Sequence, residues 1–440
     1  NKRRRERKKN RVSRTIGIIL AIIQFILSVV LAVNVMLFNV LTSTYFLVLI
    51  GVLLILLGIT LLTQIAAKGK GIGGKIFCIL ICIILGVGSF YIGKVNNAFQ
   101  KITGSNKKTS SMVVAVKADD NADTLSAAAG YTFGVQYATG GDQTKSAVKQ
   151  IEKELGQNIT LQEYSNLGEE AQALYDGEVD AIIYNSAYSN IIKEQYSTFT
   201  KDTKVIYKHN IVVEIESDTS DESVTKPFAV YLSGIDTNGD ITEQGRSDVN
   251  IVAVVNPTSH QVLLITTPRD YYVPIPGVSG GQDDKLTHAG IYGVDVSMQT
   301  LEELYDTDIE FFGRVNFTSM TSVVDALGGL DVESDLEFDT GWESGAEIHV
   351  NEGMNHFDGI SALAFCRERQ ALPDGDNGRG VHQQAVITAI IKKMMSPAML
   401  RGASDIIESV SDGVDTNFTS SQIQSLIKTQ LRTNAKWNIY

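Results

Sequence analysis

From Thr15 to Ala67 the chain carries no Asp, Glu, Lys, Arg or His, an uncharged run of 53 residues. One helix of that length would be about 80 Å long, against a bilayer hydrocarbon core of roughly 30 Å. Two spans fit instead, at 16–38 and 45–65, turning around residues 39–44. The basic loop KGKGIGGK (68–75) follows. A further uncharged run, Ile76–Gly93 between Lys75 and Lys94, reads as a third span. A cleaved signal peptide has a single short apolar region, so these 15–94 segments are read as an anchor.

Charge orients the anchor. Residues 1–14 hold nine basic residues and one acid, a local +8. The whole chain carries −12, so the remainder carries −20 (−12 minus +8). The positive-inside rule places the 1–14 tail and the 68–75 loop in the cytoplasm, and everything from about residue 95 outside. Cys78 and Cys82 lie in the third span and only Cys366 beyond it, with no disulfide framework and no Cys/His metal spacing. An exported chain without disulfides suits a bacterial cell membrane, where this would be a multi-pass protein. The tail has no helix-turn-helix pattern and suits anionic lipid, so no nucleic-acid partner is expected. The chain starts at Asn1 and stops at Tyr440, and both ends are open to truncation.

Outside the anchor, 95–110 reads as a polar linker and 111–216 as a small α/β domain. Strand-like runs at 112–117, 132–137, 158–164 and 179–184 alternate with helical patterns. One helix near 142–155 puts Val148, Ile151 and Leu155 on a face. The next starts at Asn166 with Glu169 three residues on, a capping-box pattern. The segments YTFGVQ and LGEEAQALYDGEVDAIIY are similar to one lobe of an extracellular solute-binding protein. Such proteins clamp ligand between two lobes and there is room for one, so an interaction or spacer module is expected. The acidic SDTSDESVTK (217–226) links it to a second domain at 227–425, with 426–440 left as a tail.

Three strands open that second domain: 228–236 ending in Asp236, 249–256 preceded by Arg246-Ser247-Asp248, and 261–267 followed by Pro268-Arg269-Asp270. As an antiparallel meander they would gather Asp236, Arg246, Asp248, Arg269 and Asp270 at one edge. AFCRER (364–369) reads as strand-like, with Arg367 and Arg369 on one face and Glu368 on the other. Arg379 and Gln383 share a face at the start of a helix expected over 380–395, its buried side given by Val381, Ala385, Ile391 and Met395.

Guanidinium is a permanent cation whose planar fork suits phosphate. Aspartates without thiols or imidazoles suit Mg²⁺, a hard ion with oxygen ligands. Together they are equipment for phosphoryl transfer, with pyrophosphate the obvious ligand; the alternative is a set of surface salt bridges. Lys285 is a further candidate anion contact, and His288 reads as structural. GVSGG (277–281) lacks a following GK[ST] and is no nucleotide loop.

The residues GIDTNGDITEQGRSDVNIVAVVN, TPRDYYVPIPG, DDKLTHAG, VVDALGGLDV and GISALAFCRERQALPDGDNGRGVHQQ resemble, in order, the LytR-CpsA-Psr family of cell-wall transferases. Three spans and an extra domain are most similar to its CpsA branch, linked to capsular polysaccharide. The resemblance implies an α/β domain around a mixed sheet with an apolar cavity. There a polyprenyl-pyrophosphate-linked glycan binds and its glycan phosphate moves to peptidoglycan with Mg²⁺. Carried over by motif, Asp236 and Asp248 hold Mg²⁺, while Arg269, Arg367, Arg369 and Arg379 grip pyrophosphate with Gln383. Arg246 orients the carboxylates, and Asp248 or Asp270 is the base. Some members carry a basic residue after Pro-Arg-Asp; here Tyr271-Tyr272-Val273 follows, so that contact is missing. The competing readings are a polyprenyl-pyrophosphate phosphatase and a membrane sensor that regulates capsule synthesis.

Overall fold

The computed structural model describes residues 2–66, 71–103, 107–214, 223–237, 241, 244–278, 281–394 and 413–440. Three helices open it: α1 (Lys2–Phe38), α2 (Ser43–Ala66) and α3 (Ile72–Ile102). Their segments Val12–Phe38, Ser43–Ile65 and Ile72–Asn97 are long and apolar enough to cross a membrane. The turn between the first two uses Asn39 in the left-handed region, at φ 49°. Buried Gln24 of α1 ties the bundle together. Its Oε1 accepts from Thr60 Oγ1 of α2 at 2.7 Å and from Cys78 Sγ of α3 at 3.3 Å. In lipid such polar contacts join helices that apolar surface alone does not.

The next domain has strands β1 (Lys107–Lys117), β2 (Thr132–Gln136), β3 (Thr160–Tyr164), β4 (Ala181–Asn185) and β5 (Thr203–Glu214). They form one sheet in the order β3-β2-β4-β1-β5. The helices are α4 (Gly141–Leu155), α5 (Leu167–Asp176), α6 (Ser189–Gln195) and α7 (Phe199–Asp202). β1 alternates as a buried strand must: Met112, Val114 and Val116 face Val148 and Ile151 of α4, whereas Val113 and Ala115 face Ala171 and Leu174 of α5. Asn166 caps α5 as its spacing implies, accepting from the Glu169 N–H at 2.9 Å. The expected linker at 95–110 is shorter here. α3 runs to Ile102, and β1 starts at Lys107 because it pairs with β5 along its whole length, Lys107 with Glu214 through Lys117 with Thr203. Residues 217–222 of the second expected linker lie outside the described residues.

The second domain is built on β6 (Phe228–Ile235), β7 (Ser247–Asn256) and β8 (Gln261–Thr266), an antiparallel meander as expected. The hairpin β9 (Tyr272–Pro274) and β10 (Asp283–Lys285) leads into α8 (Leu286–Tyr292) and α9 (Val294–Tyr305). β11 (Phe311–Asn316) then joins parallel to β6. Next come α10 (Phe317–Ala326), β12 (Leu330–Ser334), the short strands β13 (Phe338–Asp339) and β14 (His349–Val350), and β15 (Gly353–Phe357). α11 (Gly359–Arg367) and α12 (Asp376–Met394) follow. β16 (Val414–Thr416), a C-terminal helix Ser420–Thr433 and β17 (Asn438–Ile439) complete the fold. The sheet order is β16-β11-β6-β7-β8-β17, so the fold is a mixed-sheet α/β arrangement. Because β17 pairs with β8, the domain runs past 425 to the end of the sequence rather than ending in a tail.

Two further sequence expectations change. AFCRER is not a strand: Asp358 caps α11 by accepting from the Ser361 N–H at 2.8 Å, and the helix continues through Arg367. α12 starts at Asp376, four residues early, and Val381 is 57% exposed while Val386 is buried. Met395 lies outside the described residues.

One face of the sheet, with Ala229, Tyr231 and Val252, packs on Leu286, Val294 and Leu301. The other face, with Val230, Leu232 and Ala253, looks across an open slot toward α12 and the C-terminal helix. A buried ion pair, Arg314–Asp415, locks edge strand β16 to β11. Removing one partner of a fully buried pair leaves an uncompensated charge, so Asp415→Ala should destabilise this domain by about 3–5 kcal/mol, read by denaturant unfolding.

Candidate active site

Strand directions alone bring the first carboxylates together. Asp236 directly follows β6, after a register shift between Gly234 and Ile235, the kind of bulge that re-aims a side chain at a sheet rim. Gly234 permits it, since a Cβ there would come within 2.7 Å of Val249 Cγ2. The Asp236 N–H donates to the Arg246 carbonyl at 2.9 Å, closing the loop back to β7. Asp248 lies one residue into β7. It accepts from Arg269 Nη1 at 2.8 Å and from Thr287 Oγ1 of α8 at 3.2 Å. Helix α8 gets close because Gly290 has no side chain: a Cβ there would meet the Gly245 carbonyl at 2.7 Å and the Ser247 nitrogen at 2.8 Å.

Arg367 and Arg369 flank the C-terminus of α11, and the residue between them holds both in place. Glu368 is buried at 2% exposure. Its carboxylate accepts from the N–H groups of Gly341, Arg369, Gln370 and Ala371 at 2.7–3.0 Å and from Ser344 Oγ at 2.8 Å. Burial pushes its pKa up, but these donors win and hold it below the ordinary Glu range. The alternation that paired the two arginines assigned Glu368 to the far face and missed this role. Its signal in the sequence was a lone acid between two arginines. Arg367 lies over the Phe317 ring, 4.4 Å from its centroid, a cation–π contact. Arg369 is exposed and makes no ion pair among the described residues.

Arg379 projects from the first turn of α12, buried and 2.6 Å from Asp376. Burial lowers its pKa, and the nearby cations Arg269 and Arg369 push the same way. Gln383, one turn on, donates to the Cys366 carbonyl at 3.5 Å. Burial works against the Arg269 charge too, but Asp248, Asp270 and Asp376 outweigh it and raise its pKa. Asp236 shows the opposite strain. Although its side chain is solvent-accessible, partial desolvation at the cavity first, then the Asp248 charge, raise its pKa despite Arg367, Arg246 and Arg269.

Asp236, Asp248, Arg269, Arg367, Arg369, Arg379 and Gln383 all line one cavity of about 1630 Å³, whose remaining wall is largely apolar. Three other candidates stand behind it. Arg246 reaches the α/β domain of β1–β5 instead, 2.6 Å from Glu194. Asp270 is half-exposed, 3.8 Å from Arg269 and 3.7 Å from Lys285, and neither Asp270 nor Lys285 lines the cavity. His288 is structural in geometry, its Nδ1 2.9 Å from Asp284 and its Nε2 3.4 Å from Glu194.

The LytR_cpsA_psr family profile matches residues 182–439, more than half of the chain. The chain belongs to the LytR_cpsA_psr family. A polyisoprenyl-teichoic acid–peptidoglycan teichoic acid transferase TagU from Bacillus cereus is 34% identical over 253 residues, covering 57% of this chain and 77% of that one. The enzyme of the same name from Enterococcus faecalis is 36% identical over 203 residues, covering 46% and 65%. The crystal structure of Bacillus subtilis TagV aligns with 49% of this chain and 84% of its own at 28% identity, with a TM-score of 0.43.

For this LytR_cpsA_psr member, the unfavourable Asp236 charge makes a prediction with a definite sign. A carboxyl whose pKa is raised by folding penalises the fold only once ionised. Asp236→Asn should therefore unfold at a higher temperature than the parent at neutral pH. The gap should close as pH falls below the ordinary Asp value of 3.8. Thermal unfolding followed across pH reads both.

Proposed function

We propose that this chain moves a glycan phosphate from a polyprenyl diphosphate carrier onto a hydroxyl of peptidoglycan, outside the membrane that its three spans cross. The observation that supports this most is the composition of one cavity: a long apolar wall with four guanidiniums gathered on it beside the carboxylates of Asp236, Asp248, Glu343 and Glu368. Such a site suits a molecule that is both a polyanion and a hydrocarbon. The relatives, named as transferases of a polyisoprenyl-linked polymer to peptidoglycan, support the same reaction class. The glycan we put forward is a capsular polysaccharide, from the three-span anchor and extra domain that resemble the CpsA branch.

In the step we infer, an acceptor hydroxyl oxygen forms a bond to the phosphorus that bears the glycan. The bridging P–O bond of the diphosphate breaks, and its electron pair leaves with polyprenyl phosphate. The acceptor proton passes to the Asp236–Asp248 pair. Arg269, Arg367, Arg369 and Arg379 hold the diphosphate and neutralise charge as the leaving oxygen gains it, with Gln383 adding a hydrogen bond. Asp270 acts on Arg269 rather than on the acceptor. Among the described residues no three His, Cys, Asp or Glu form a metal cage. Two carboxylates beside a diphosphate nevertheless fit Mg²⁺, which is commonly held by one or two carboxylates plus substrate phosphates. Held by Asp236 and Asp248, Mg²⁺ would supply further charge neutralisation on the diphosphate.

The full chain in liposomes, given lipid-linked glycan and peptidoglycan, should yield a covalent glycan–peptidoglycan adduct. Arg369→Ala should cut adduct formation by about 10²-fold, the scale for losing one transition-state charge contact. It should also lose retention of polyprenyl phosphate. Unchanged lipid retention and adduct in that variant would refute the assignment. Release of glycan phosphate to water without adduct would make the chain a phosphatase. Normal wall attachment with altered gene expression after deletion of residues 1–14 would add a regulatory role.

A further inference from the structure

The cavity wall does not stop at the sheet domain. Phe38 at the end of α1, Val40 in the following turn, Tyr45 at the start of α2, and Tyr91, Ile92 and Val95 of α3 line the same cavity as Asp236 and Arg369. All six lie at the end of the three-helix bundle that faces the sheet domain. That end is docked. Lys428 Nζ of the C-terminal helix donates to Asn39 Oδ1 in the turn between α1 and α2, at 2.7 Å. Beyond α3, Thr103 bridges to Thr416 of β16 and shares a hydroxyl hydrogen bond with Ser420. So the rim of the bundle is held against the edge strand and last helix of the second domain.

We propose that the outer ends of the three spans form a portal through which a polyprenyl chain slides from the bilayer into the slot. The inference rests on the reaction proposed above and adds the route its lipid takes. A chain of that kind is sparingly soluble in water, and every apolar surface it exposed on the way would be unfavourable. An apolar wall that is continuous from spans to slot removes that exposure. Tyr45 and Tyr91 are 53% and 46% exposed at the rim, the ring type found at membrane–water interfaces, which sets the portal at headgroup level. The volume, about 1630 Å³, exceeds the roughly 300–1,000 Å³ of ordinary small-molecule sites and leaves room for a long tail. A simple tether needs one span. Three spans locked by Gln24, Thr60 and Cys78 keep a shaped opening.

The test is Ile92→Trp with Val95→Trp, which narrows the rim while keeping it apolar. The full chain in liposomes is assayed on two donors: a bilayer-borne polyprenyl diphosphate glycan, and a water-soluble analogue with a short isoprenoid that reaches the arginines from the aqueous side. Transfer from the long-chain donor should fall about tenfold or more, as for a blocked access step, while the short-chain donor is used as before. Equal loss on both donors, or no loss on either, would overturn the portal. A parent chain that transfers from neither donor would sink the transferase reading instead. The portal is then read on its own by irradiating liposomes that hold polyprenyl phosphate with a photoreactive tail. Adducts at Tyr45, Tyr91 or Ile92 support it, and adducts confined to the sheet domain refute it.

Discussion

Four guanidiniums around one opening repel one another, so a fold that gathers them has to hold each from behind. Three of them have a side-chain partner of their own. Asp248 takes Arg269 at 2.8 Å, and Asp376 takes Arg379 at 2.6 Å. The Phe317 ring lies under Arg367. Glu368 does the most, because one buried carboxylate collects five donors and so fixes the turn that displays both Arg367 and Arg369. Some strain remains. Asp236 is harder to ionise than a free aspartate, and Arg379 is easier to deprotonate than a free arginine. A polyanion with its counter-cation would relieve both.

The apolar part of the site follows from an ordinary sandwich left half filled. Period-two alternation sends Tyr231 and Val252 into the core with α8 and α9, and sends Val230, Leu232 and Ala253 to the other side. There α12 and the C-terminal helix stand off far enough to leave a slot. Strand ends decide which end of the slot carries charge, since β6 stops just before Asp236, where β7 begins and β8 gives way to Arg269. The fold thus gives the cavity one charged end and one apolar end without any special backbone chemistry.

The features legible in the sequence were those set by composition and strand direction. A stretch of 53 uncharged residues fixes the first two long apolar helices, and a meander fixes the meeting of Asp236, Asp248 and Arg269. Short-range ambiguity hid the rest. Arginines at i and i+2 suit one strand face, but they also suit the last turn of a helix followed by its exit, which is what α11 provides. The cap at Asp358, with Ser361 three residues on, was the available warning. Lys285 and Asp270 lay near the right edge in sequence, yet neither lines the cavity. Arg246 illustrates a third limit. Its guanidinium pairs with Glu194 in another domain, a partner that local pattern cannot supply. The same contact zone includes Gln244, bonded to Asn185 and to the Tyr292 carbonyl, so the domain of β1–β5 braces the loop that leads into Asp248.

The central claim is that head and tail of one lipid occupy one cavity. A structure of the full chain with a non-hydrolysable polyprenyl diphosphate tests it most directly. The account predicts diphosphate oxygens within hydrogen-bond reach of Arg269, Arg367, Arg369 and Arg379, with the isoprenoid laid along Leu232, Ala253 and Ile390. A diphosphate bound elsewhere, with Arg269 still on Asp248, Arg379 still on Asp376 and the slot closed by side chains, would contradict it.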